Sequence, residues 1–202
     1  MKLVKLFAVA VCMLFAFSGF AQSMKLESGK LDFLKDQKTL NVVYAYDNMK
    51  VGKGSEQEYI TKKVTEHNKD EAGKGDKWQK AWVGARQERY QPKFEELMNK
   101  RLEDDGVKVG SFPDAAYTLV LKTVFTEPGF NVGVMRMPAY TNMEAVFVKT
   151  GTTTEEAVIS MMKAPGADAM GFDYDAGSRI SESYAKAGKS LGTFLNKKKV
   201  FK

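Results

Sequence analysis

AAYTLVLKTVFT, residues 115–126, alternates as a half-buried strand does: Tyr117, Leu119, Leu121 and Phe125 fall on one face, Val120 and Val124 on the other. Asn142 to Thr150 and Glu155 to Lys163 carry the same signature, and the Thr-Gly-Thr-Thr-Thr run at 150–154 between them reads as a hairpin turn. Three antiparallel neighbours are therefore expected in a row. Ser178 to Leu195 then changes period. Ile180, Tyr184, Ala187, Leu191 and Phe194 form one helical stripe, with Ala185, Gly188 and Gly192 as small residues that let the helix lie close to its support.

Upstream, Thr39 to Asp47 predicts a strand with apolar residues on both faces, which suits at least partial cover on both sides. Two GKG stretches, 52–54 and 73–75, flank a charged segment, Glu56 to Glu71, whose Tyr59, Ile60 and Val64 suit a helix. From Asp76 the helical period is clear: Trp78, Trp82, Ala85 and Arg89 share a face, and Phe94, Leu97, Met98 and Leu102 continue it to Gly106. Pro92 interrupts this run, so the helix must kink or restart near Gln91. The order β-α-α-β-β-β-α predicts an α/β (α+β) domain with a mixed sheet of about four to five strands and helices mainly on one face.

The first 21 residues read as a cleavable signal peptide. Lys2 and Lys5 precede an uncharged run, Leu6 to Phe17, and Ser18, Gly19 and Ala21 supply the small residues a signal peptidase admits. Twelve helical residues span about 18 Å, short of a hydrocarbon core of about 30 Å. Cleavage after Ala21 makes Gln22 the first mature residue and places the protein in the periplasm or outside the cell. Cys12 lies mid-run behind Val11, not at a lipoprotein junction. It is also the only cysteine among 202 residues, so the mature chain has no disulfide, thiol nucleophile or Cys-based metal site. Removing Lys2 and Lys5 takes the formal charge from +6 to +4, too small and too mixed in sign to argue for nucleic acid. No second apolar run is long enough for a transmembrane segment. Residues 22–202 form one expected domain, with 22–38 as a lead-in segment and 197–202 as a basic tail.

GKLDFLKDQKTLNVVYAYDNM, YQPKFEELMNK, AAYTLVLKTVFTEPGFNVGV and DAGSRISESYAKAGKSLGTFL together resemble a group of uncharacterised secreted proteins of Bacteroidota. More loosely, the element order is similar to that of small envelope domains such as the TolB amino-terminal domain and the transport-auxiliary lipoproteins. The resemblance implies an envelope location. It transfers no activity and no functional residue.

Catalytic chemistry finds little purchase. His67, the only histidine, sits in the charge run Glu66 to Glu71 and reads as a solvated surface residue. Asp173 and Asp175, in Asp-Tyr-Asp-Ala-Gly, are the nearest approach to a calcium loop, but Gly177 and Tyr184 miss the positions where an EF-hand needs Gly and a bidentate Glu. No metal or other cofactor is therefore expected. The GKG stretches lack P-loop spacing. Glu95, Glu96, Glu144 and Asp173 could serve a glycosidase, but nothing selects a pair. Trp78 and Trp82, one helical turn apart, read as core in preference to a sugar platform.

Two long loops carry the functional expectation. Glu127 to Thr141 holds Phe130, Met135, Arg136, Met137 and Tyr140; Ala164 to Gly177 holds Met170, Phe172 and Tyr174. Long loops rich in Met and aromatic residues form contact surfaces, or else satellite cores or an added edge strand. The sequence reads as a non-enzymatic binding or assembly module of the cell envelope, taking an envelope protein or a small ligand on these eight residues. A hydrolase acting on envelope or dietary glycan or peptide is the alternative.

Overall fold

The computed structural model describes residues 22–132, 135–166 and 176–202. The chain is mixed α/β, as its patterning predicts, but the main sheet has eight strands rather than four or five. The meander is formed by β6 (Tyr117–Glu127), β9 (Tyr140–Lys149) and β10 (Glu155–Pro165), joined antiparallel. The turn at 150–154 is held by the Thr152 hydroxyl, which donates to the Lys149 carbonyl at 2.8 Å.

The uncounted strands are short or polar. β1 (Ser23–Gly29) pairs antiparallel with β10 at the sheet edge, so the expected lead-in is partly a strand. β2 (Thr39–Ala45) lies parallel to β6, and β5 (Lys108–Gly110) lies parallel to β2 at the opposite edge. β3 (Lys50–Val51) and β4 (Gly54–Ser55) form a small hairpin around the first GKG, with β3 also pairing with β6. Two or three residues cannot display a period-two pattern, which is why the sequence hid them. Within the β6–β9 connection, β7 (Phe130–Val132) and β8 (Met135–Met137) pair as a separate two-stranded ribbon, so this segment is not a plain loop.

α1 (Glu56–Asp70) starts at a capping box: Ser55 Oγ accepts from the Glu58 N–H, and the Glu58 carboxylate accepts from the Ser55 N–H at 2.7 Å. α2 (Lys74–Ala85) runs through a five-residue π turn, Arg86–Tyr90, into α3 (Gln91–Leu102). The Gln91 N–H donates to the Arg86 carbonyl, five residues back. Pro92 explains this step. It has no N–H to give, and its ring would strike the carbonyl four residues earlier in a regular helix, so one wide turn absorbs both problems. The expected interruption near Gln91 is thus a π turn, after which α3 begins.

α4 (Ala176–Lys197) packs against α3 and, with it, covers one face of the sheet. Phe94, Met98, Leu102, Leu191 and Leu195 meet Leu119, Leu121, Phe147 and Ile159, all fully buried. The opposite face is covered only in part: Val146 and Thr118 are buried on it. Val43 remains 42% exposed there, while its strand neighbours Asn41 and Ala45 are half-buried, so the second face of this strand has partial cover. Nor is the basic tail free: Phe201 is buried in the core, and the Lys202 ammonium lies 2.9 Å from the Asp105 carboxylate. No helix among the described residues is long and apolar enough to cross a membrane.

Candidate binding end

The two segments singled out by composition are rooted at the same place. Arg179, in the first turn of α4, is only 4% exposed; its Nε donates to the Pro128 carbonyl at 3.1 Å and its Nη2 to the Gly129 carbonyl at 3.2 Å. The Gly166 N–H donates to the Ala139 carbonyl at 2.7 Å, and the Lys186 ammonium reaches the Gly166 carbonyl at 3.2 Å. Both ends of the β7–β8 ribbon and both ends of the 167–175 segment therefore meet in one hydrogen-bonded base. Gly129 is required there. Its φ of +66° is left-handed, and a Cβ would come within 2.5 Å of the Met137 carbonyl oxygen. The Glu127 carboxylate accepts from the Gly129 N–H at 3.1 Å and completes the turn into β7.

Above this base, Phe130 opposes Met137 across the ribbon, Asn131 opposes Arg136, and Val132 opposes Met135. Phe130 is 39% exposed, while Met137 is half-buried. Tyr140 stacks on Phe125 with ring centroids 5.4 Å apart. Met170, Phe172, Tyr174 and the calcium-loop candidates Asp173 and Asp175 lie outside the described residues. The structure thus brings Phe130 and Met137 together on the ribbon, with Tyr140 at its foot in β9.

Sequence reasoning missed Arg179, although a signal exists. A cation in the first turn of a helix opposes the helix dipole, so it stands there only if something nearby uses it. Here its users include the Pro128 and Gly129 carbonyls just after β6.

A second polar cluster lies under α1 and α2. The Glu56 carboxylate accepts from Trp82 Nε1 at 2.6 Å and from Arg86 Nη2 at 2.5 and 2.6 Å, and the Arg86 guanidinium rests 4.1 Å from the centre of the Tyr46 ring. Tyr90 stacks on Tyr184 at 5.1 Å, and the Tyr184 hydroxyl bonds that of Thr123. The π turn brings Arg86 and Tyr90 inward together. The space enclosed by Tyr46, Glu56, Trp82, Arg86 and Tyr90 is about 10 Å³, at the lower limit for one water, so this is a packed structural joint and no substrate pocket.

Burial pushes the Tyr46 and Tyr184 phenols above their ordinary range, and burial followed by the Glu95 carboxylate does the same to Tyr44. Burial also pushes Tyr59 up to about 12. At neutral pH these hydroxyls keep their protons and act as hydrogen-bonding groups, not bases. The Tyr46 hydroxyl lies near Gln91 and Tyr184 without forming a well-aligned bond to either.

Trp82 is buried as predicted, and Trp78 stacks on it at 5.6 Å. His67 is half-buried against Trp78, ring centroids 5.7 Å apart, and not fully solvated as its charged neighbours suggested. Among the described residues, the proposed carboxylates Glu95, Glu96 and Glu144 each have a different neighbour. Glu95 accepts from the Tyr44 hydroxyl at 2.8 Å on the helical side, Glu96 pairs with Lys93 on the surface of α3, and Glu144 opposes Lys122 on the sheet face away from the helices. Among the described residues, no three His, Cys, Asp or Glu side chains gather as a metal site.

No family model matches the chain, and no curated protein matches it. Among solved structures it is similar to the PelC dodecamer from Paraburkholderia phytofirmans, at 12% identity and a TM-score of 0.35, covering 82% of this chain and 97% of that one. A variant PelC dodecamer from the same organism gives 13% identity and a TM-score of 0.36, with 82% and 96% covered. A DUF330-family protein from Xanthomonas campestris gives 8% identity and a TM-score of 0.34, with 79% and 83% covered.

Proposed function

We propose that this is an exported, non-enzymatic module of the cell envelope that binds a protein or small-ligand partner on the β7–β8 ribbon. The observation that carries this reading is the contrast between base and tip. The base is fixed by buried Arg179 and the Gly166–Ala139 bond, whereas Phe130 presents an apolar ring to solvent. A rigid base under an exposed aromatic lowers the entropic cost of binding, because the contact residue is already positioned. The dispersal of Glu95, Glu96 and Glu144 leaves the hydrolase alternative without a carboxylate pair among them.

The test is site-specific photo-crosslinking in the native envelope. A photoreactive residue at Phe130 should give a discrete adduct, and the same residue at Val83, slightly more exposed on α2, should give none. Equal labelling at both positions, or none at Phe130, would refute the assignment.

A further inference from the structure

A groove of about 480 Å³ runs between the start of β1 and the last three turns of α4. Lys186, Ser190, Thr193 and Lys197 line it at steps of four, three and four, one helical stripe about 16 Å long. Met24 and Phe194 give it an apolar floor. Its charge is one-sided: residues 183–202 contain six lysines and no acid. Lys186 is engaged by Gly166 and lies 3.8 Å from Glu182, but Lys189 and Lys197 have no ion-pair partner among the described residues.

The other wall is a free sheet edge. β1 pairs only with β10, and its outer backbone groups have no backbone partner among the described residues. The β1–β10 register shifts between Leu26 and Ser28, so regular extended geometry on that edge is confined to the half of β1 beside the groove. At its head, Gln22 Oε1 accepts from the Ser190 hydroxyl at 2.8 Å, while Gln22 Nε2 is a buried donor without an acceptor.

We propose that this groove binds an extended acidic peptide segment of a partner protein, which adds as a strand to the edge of β1 while its carboxylates meet Lys189 and Lys197. An edge strand supplies backbone hydrogen bonds, and a flanking helix supplies side-chain selectivity, which together constitute strand addition. The lysines set the charge of the guest, and the length of the stripe favours an extended chain over a compact anion.

The probe is a fluorescein-labelled octapeptide of alternating Glu and Val, titrated with the purified protein at low salt. Binding should weaken at least tenfold when Lys189→Glu is combined with Lys197→Glu; the paired Gln substitutions serve if charge reversal disturbs folding. It should also weaken at least tenfold when alternate peptide amides are N-methylated, which blocks strand pairing but keeps the charge. Failure to bind, or indifference to the lysine changes, overturns the proposal. Equal affinity for the N-methylated peptide shows a mere polyanion contact and also overturns it. So does capture by phosphatidylglycerol vesicles with the peptide ignored, because the groove would then serve a membrane surface.

Discussion

Gly188→Ala should lower stability by about 3 kcal/mol and the melting temperature by about 6–12 °C. On an exposed helix the same change would stabilise by up to about 1 kcal/mol, since alanine is the better helix former. The difference lies in the α3–α4 crossing. A Cβ on Gly188 would stand 2.2 Å from the Phe94 carbonyl oxygen, 2.9 Å from its carbon and 3.1 Å from the Phe94 Cα. All three are backbone atoms, so no side chain can swing away. The helices must separate, and Phe94 and Leu191, fully buried, lose packing as they do. Gly192, one turn on, meets chiefly the Arg101 side chain and should cost less as alanine. Thermal unfolding decides the matter; a stabilised Gly188→Ala protein would mean that the helices do not cross this closely.

Glu56→Ala should cost about 3 kcal/mol. The side chains of Glu56 and Arg86 are only 17% and 19% exposed, and Glu56 also accepts from Trp82 Nε1. Removing the carboxylate strands a guanidinium and an indole donor in a space too small to admit solvent freely. Arg86→Met, by contrast, leaves Glu56 one donor and the first turn of α1, whose dipole favours an acid. Paired with Glu56→Leu it should recover much of the loss, because a well-packed apolar pair avoids the desolvation that an ion pair suffers. Urea unfolding of both single variants and the double variant should yield a coupling of about 2 kcal/mol. Additive costs would contradict the joint as described.

The parts of the fold legible in sequence are those whose burial imposes a period over ten or more residues. β6, β9, β10 and α4 were readable because each lays a long apolar row on one shared core. β1 was not, since Lys25 and Glu27 face away from the helices and pair with each other. The π turn was half legible. Pro92 announced a disturbance, but only tertiary packing decides whether a helix answers by kinking or by widening. At the candidate binding end, Phe130, Met137 and Tyr140 stand out by composition, whereas Arg179 does not, because the carbonyls it meets lie about 50 residues away in the chain.

The account rests on the ribbon being a contact surface on a fixed base and not an extension of the core. Urea unfolding of Phe130→Ala tests this most directly. A ring already 39% exposed should cost no more than about 1 kcal/mol on truncation, with the unfolding slope unchanged. A loss of about 3–5 kcal/mol, the range for a buried phenylalanine, would show that the ribbon is core and would contradict the account.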